Sequence, residues 1–281
     1  MKQGGAALPP MDIKLPRRLA LGLPALLFST PCQALSLDAA MLTQGGLVLG
    51  HTLPGTRLTL DGRNIRVSAQ GDFAFGFGRD HAASAQLLVS TPGGRPETQT
   101  LNITRRQWQV ERITGLPPAQ VTPDAEMLAR ITREREKLAS IRALDTPLTG
   151  FAGGFVRPAP GRISGVFGSQ RILNGQPRQP HYGLDFAAPT GTPVLATASG
   201  RVTLADEFHF FGRLIVVDHG HGVNSLYAHL SEIDVSEGSM VTQGQKIGAI
   251  GATGRVTGPH LHFGLSWYQL WLNPQPVVLP A

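Results

Sequence analysis

Turn-forming residues interrupt this sequence so often that long helices are excluded over most of its length. Glycine occurs 34 times and proline 22 times in 281 residues. Between residues 35 and 106 the breaks are Pro54-Gly55, Asp61-Gly62, Gln70-Gly71-Asp72 and Pro92-Gly93-Gly94. They bound short apolar runs at 46–49, 57–60, 65–68, 73–77, 86–90 and 98–103, which read as strands. Asp-Gly between two such runs signals a hairpin, because glycine tolerates the positive φ that tight hairpin turns require. Five or six strands at this spacing predict a small β-sandwich over 35–106. His51 and His81 fall in its expected loops, without metal-ligand spacing, and read as surface residues.

One stretch departs from this pattern. After a linker-like segment at 107–121, Thr122 can cap a helix with Pro123 at its first position and Asp124 and Glu126 in its first turn. Met127, Leu128, Ile131, Leu138 and Ile141 recur at helical spacing until Pro147. Arg130 with Glu134, Arg133 with Glu136 and Glu134 with Lys137 read as a solvated helix face. From 147 the β signals return, at 165–168, 200–202, 213–218 and 223–230, with a turn at His219-Gly220-His221-Gly222. The expected organisation is therefore mainly β: a small N-terminal β-sandwich, a connecting linker and helix at 107–146, and a compact β-sheet domain at 147–281.

Before residue 35, Arg17-Arg18 precede an apolar run at 19–28, and Cys32-Gln33-Ala34 follows as a small-residue stop. This is the layout of a secretory signal peptide over 1–34, too short to span a membrane as a helix, with cleavage after Ala34. Without that segment the chain holds 21 basic and 18 acidic residues, a net charge of +3, and no cysteine. The densest basic run, 130–142, contains Glu134 and Glu136 and no aromatic residue, which argues against a nucleic-acid partner. With 41% hydrophobic and 16% charged residues, the chain has the make-up of a folded domain, and any metal ligands must be His, Asp or Glu.

Such ligands occur at His181-Tyr182-Gly183-Leu184-Asp185 and at His260-Leu261-His262. A flat strand would hold the Cα atoms of His181 and Asp185 roughly 13 Å apart, so convergence on one ion requires a bend, which Gly183 permits. In the second motif His260, His262, Gly264 and Ser266 share one strand face, while Leu261, Phe263, Leu265 and Trp267 share the other. Two histidines on one face can serve one site without both being ligands. Two nitrogens and one carboxylate oxygen would leave a tetrahedral zinc ion one open position, as in catalytic sites.

Three motifs in this order, His181 to Asp185, the isolated histidine of Tyr227-Ala228-His229-Leu230, and His260 to His262 within Gly254-Arg255-Val256-Thr257-Gly258-Pro259-His260, resemble the lysostaphin/LytM-type metallopeptidases of family M23. The resemblance covers roughly 161–274. It implies Zn²⁺ held by His181, Asp185 and His262, and His229 and His260 as a catalytic pair. It also implies a periplasmic or secreted enzyme of the cell envelope that hydrolyses peptide cross-links in peptidoglycan. The alternative is a catalytically silent or latent wall-binding regulator of another murein hydrolase, with the linker or the N-terminal half controlling the site. Loss of ligands would mark a silent protein, and this chain keeps the set. Arg171, Asn174 and Arg255 lie near the motifs and are candidates for orienting a peptide, while His209, His219 and His221 read as solvated loop residues. No H-E-x-x-H helix, G-x-S-x-G elbow or P-loop accompanies the histidines.

Overall fold

The computed structural model describes residues 35–113, 125–173 and 175–279, so the expected signal peptide, the Thr122-Pro123 cap and Asn174 lie outside the described residues. The N-terminal part contains β1 (Leu35–Leu37), β2 (Leu47–Thr52), β3 (Arg57–Leu60), β4 (Arg63–Ile65), β5 (Asp72–Gly76), β6 (Ser84–Ser90) and β7 (Glu97–Asn102). They form two antiparallel sheets, ordered β1-β2-β5 and β4-β3-β6-β7. Leu60 pairs with Arg63 across Asp61-Gly62, both at positive φ (48° and 82°), as the sequence predicts for a two-residue hairpin. His51 lies in β2 rather than a loop, where its Nδ1 is 3.0 Å from Asp72 Oδ1. Phe73, Phe75 and Phe77 fill the core between the sheets. That core continues into Val223, Leu265, Trp267 and Leu272 of the C-terminal part, so the two parts share one apolar interior.

The C-terminal part contains β9 (Arg162–Gly165), β10 (Gln170–Leu173), β11 (Gln176–Pro177), β12 (Leu184–Ala187), β13 (Pro193–Leu195), β14 (Gly200–Phe208), β15 (Gly212–Gly220), β16 (Val223–Ile233), β17 (Met240–Val241), β18 (Lys246–Ile250), β19 (His260–Trp267) and β20 (Leu270–Leu272). Its main sheet runs β17-β14-β15-β16-β19-β12-β9. Alternation divides the side chains as expected. Ile215, Val217, Tyr227, Leu261 and Phe263 enter one core, while Leu204, Leu214, Val216, Leu226 and Ala228 line the opposite face.

Helix α1 (Ala125–Arg142) packs on that opposite face through Leu138. Arg130, Arg133, Glu136 and Lys137 are exposed, as a solvated face requires, and Glu134 is the exception. Arg130 does pair with Glu134 at 2.7 Å, but the Glu134 carboxylate also accepts the His209 amide, and Lys137 reaches Asp206 at 2.8 Å. The β14 end supplies partners that helical spacing alone does not show. At the end of α1 the Arg142 guanidinium lies 3.7 Å from the Trp271 ring centre and donates through Nε to Ser266 Oγ at 3.2 Å. The linker also gains structure: β8 (Val110–Ile113) runs parallel to β10.

The turn after β15 is buried, contrary to the expectation for His219 and His221. It forms the predicted hairpin, Gly220 pairing with Val223, but Thr146, Leu148 and Phe151 pack over it. His219 donates from Nδ1 to Ser199 O at 2.8 Å, and its Nε2 lies 2.7 Å from Ser225 Oγ. Burial pushes its pKa down to about 4. Neutral in the fold, it takes up a proton more readily when unfolded. Its stabilisation is complete above pH 6.5 and is lost as pH falls towards 4, by about 3 kcal/mol at roughly 1.4 kcal/mol per unit. Urea titrations at pH 7.5 and 4.5 should therefore show a smaller pH dependence in His219→Gln than in the parent chain.

Candidate metal centre

β12 and β19 run antiparallel with Asp185 opposite His262, which sets a carboxylate beside an imidazole on one sheet face. His181 precedes β12, and the chain bends at Gly183 to bring its ring back. His181 Nε2 lies 3.1 Å from Asp185 Oδ1 and 3.1 Å from His262 Nδ1, and His262 Nδ1 lies 2.9 Å from the same oxygen. These separations approach the ~3.3 Å edge of a tetrahedron with bonds of ~2.0 Å, the geometry of zinc with nitrogen and oxygen ligands. Side-chain exposures of 25% for His181, 17% for Asp185 and 12% for His262 leave the cluster recessed but open to water.

The surrounding backbone fixes which atoms converge. His181 Nδ1 donates to Val166 O at 3.1 Å, leaving Nε2 for the cluster. Val166 lies in the turn after β9, where the sequence reading extended a strand through 165–168. Gly183 is not at positive φ. Its importance is the close approach of His262, because a Cβ there would lie 2.8 Å from His262 Nε2 and 2.8 Å from Phe263 O. Gly165 has the same role on the other side, since a Cβ there would overlap Asp185 Oδ2. A shift in the β9–β12 register places Gly165 opposite Asp185, an irregularity of the kind that re-aims strand residues near sites.

Burial works against the Asp185 charge, but the close approach of the His181 and His262 rings outweighs it and holds the carboxyl well below the usual carboxylate range. His262 is shifted down, chiefly by burial. The donor set, recessed position and glycine-lined cradle fit a zinc ion. Gly165→Ala should weaken zinc binding about 10- to 100-fold, the usual effect of disturbing a ligand's support. Competition with a chromogenic chelator measures this, and a denaturant titration of the apoprotein checks that the fold survives.

His229 and His260 stand beside the cluster, their ring centres 4.8 Å apart, with His229 6.0 Å from His262. His229 interrupts the alternation of β16 at φ 63°, a conformation that costs an L-residue roughly 1–2 kcal/mol. Its amide donates to Phe211 O at 2.8 Å and its Nδ1 to Thr253 O at 2.9 Å. His260 Nδ1 donates to Gly258 O at 2.9 Å. Both rings therefore retain a free Nε2 among the described residues. Burial, followed by the neighbouring His262, pushes His229 down to about 4, so its ring is neutral at pH 7.

Other candidates are placed differently. Arg255 stacks on Phe210 at 4.4 Å, and Arg171 lies in β10. Sequence reasoning missed the supporting carbonyls of Val166, Thr253 and Gly258 and the spatial roles of Gly165 and Gly183. Glycines beside ligand motifs were the available signal.

The fold is mainly β, and His181, Asp185 and His262 form a three-donor cluster on one sheet face that could hold a metal ion. Residues 179–274 match the model of peptidase family M23, and the matched region is a domain of that family. The chain is 42% identical over 120 residues to DD-carboxypeptidase/endopeptidase Mpg of Neisseria meningitidis, covering 43% of this chain and 28% of that protein. It is 45% identical over 117 residues to peptidoglycan DD-endopeptidase ShyA of Vibrio cholerae, covering 41% and 26%. The matches thus span about a quarter of those curated relatives. A crystal structure of a Pseudomonas aeruginosa protein assigned to peptidase M23 superposes with a TM-score of 0.66 at 28% identity, covering 84% of this chain and 94% of that one.

Proposed function

We propose that this protein is a secreted or periplasmic, zinc-dependent endopeptidase that hydrolyses peptide cross-links of bacterial peptidoglycan. The observation that carries the reading is the convergence of His181 Nε2, Asp185 Oδ1 and His262 Nδ1 beside the free nitrogens of His229 and His260. His181, Asp185 and His262 would hold zinc, which supplies Lewis-acid polarisation of the scissile carbonyl and a water acidic enough to ionise near neutral pH. His229 and His260 then provide imidazoles for the proton transfers, that of His229 held neutral by burial. One takes a proton from the attacking water, and a protonated ring returns one to the departing amine. Their Nδ1 hydrogen bonds hold the reactive nitrogens in place, removing reorientation from the reaction.

The peptidoglycan substrate is supported by the named activities of Mpg and ShyA. Among the described residues, no helix is long and apolar enough to cross a membrane. A latent form is a second reading, favoured by α1 occupying the same sheet face as His262 through Leu138 and Arg142. A catalytically silent regulator is disfavoured by the intact donor set. The test is to strip the purified protein with a chelator, restore zinc and follow hydrolysis of a cross-linked muropeptide dimer. Activity that disappears and returns with one zinc per chain supports the proposal. Hydrolysis unaffected by complete zinc removal overturns it.

A further inference from the structure

A cavity of about 220 Å³ lies where the linker meets the turn supporting His181. Arg106, Trp108 and Gln109 line its linker side, while Val166, Phe167 and Gln275 line the peptidase side. Trp108 is a fixed wall. Its ring packs on Phe167 with centres 5.7 Å apart, and it lies so close to Gly168 that a Cβ there would overlap the indole. Two guanidinium groups flank that ring. Arg79, at 5.2 Å, is occupied by Gly168 O and Asp80. Arg106, at 5.0 Å, is solvent-accessible and makes no side-chain hydrogen bond or ion pair among the described residues. Among the described residues that line the cavity none is acidic.

The cavity is connected to the metal centre by direct contacts. Val166, on its wall, accepts the His181 Nδ1 hydrogen bond, while Phe167 packs on Tyr182 with ring centres 5.9 Å apart. We propose that this cavity is a carboxylate-recognising subsite for the peptide substrate, with Arg106 binding the carboxylate and Trp108 packing against the adjoining aliphatic chain. The proposal rests on the peptidase reading and narrows its substrate to peptides bearing a free carboxylate a few residues from the scissile bond. An arginine presents paired donors to a carboxylate, whereas the surrounding glutamines can bind the peptide amides. Because Arg106 lies outside the His-Asp-His cluster, its contribution should appear in binding rather than in chemistry.

The test uses the full-length zinc-loaded protein and an acetylated tetrapeptide ending in D-alanine, supplied as its free acid or C-terminal carboxamide. Binding is followed through the Trp108 indole N–H resonance, assigned with Trp108→Phe. The acid should bind about 10- to 100-fold more tightly than the amide, and Arg106→Gln should abolish that preference without changing the thermal midpoint. Equal binding of acid and amide overturns the proposal, as does an unchanged preference in Arg106→Gln. A Trp108 response to N-acetylglucosamine but not to either peptide also overturns it. Cleavage of a cross-linked dimer is measured separately. Failure there with preserved acid preference rejects the hydrolase reading while retaining the carboxylate-binding subsite.

Discussion

Asp185→Ala should release the metal and reduce turnover by at least about 10³-fold, exceeding the roughly 10- to 100-fold effect of an outer-shell change. Asp185 Oδ1 lies within hydrogen-bonding distance of both His181 and His262, so the substitution removes one donor and the group that aligns the other two. Zinc per chain after dialysis, measured by mass spectrometry, should fall from one towards zero alongside activity. Mild acid should have a related effect on the parent chain. The depressed Asp185 carboxyl contributes stability above the unfolded-state value near 4 and loses it as pH falls through the lower folded-state value. Zinc ligands must be deprotonated to bind, so zinc loss should begin on the acid side of neutrality.

His229→Ala should leave zinc at one per chain while lowering kcat about 10²- to 10⁴-fold, the range expected for losing a positioned proton-transfer group. The contrast with Asp185→Ala separates metal binding from proton transfer. His229→Asn provides a backbone control because asparagine accepts positive φ more readily than most residues. If the imidazole is required, the asparagine variant should remain as slow as the alanine variant. Recovery of activity would assign the defect to backbone conformation instead.

The legible parts of this chain were those governed by local chemistry. Asp61-Gly62 specified a hairpin because positive φ is required at both positions. His260-Leu261-His262 revealed its two-sided strand because alternation is a local property. The bend bringing His181 to Asp185 followed from reach alone, although Gly183 serves by admitting His262 rather than by adopting positive φ. Other features depended on partners distant in sequence. Nothing around Trp108 indicates that β8 joins β10, and His219-Gly220-His221-Gly222 resembles an exposed turn until residues 146–151 cover it. Glu134 and Lys137 likewise satisfy local helical rules while anchoring α1 to β14 and its following turn. The left-handed backbone of His229 had no sequence signal, since alanine and leucine flank it and no glycine marks the bend.

Mass spectrometry of peptides released from purified sacculi, with and without a zinc chelator, tests the central proposal most directly. The zinc-loaded protein should convert cross-linked dimers into monomers with new peptide ends, and the chelator should stop that conversion. Unchanged cross-linking after incubation with fully zinc-loaded protein would contradict the endopeptidase account.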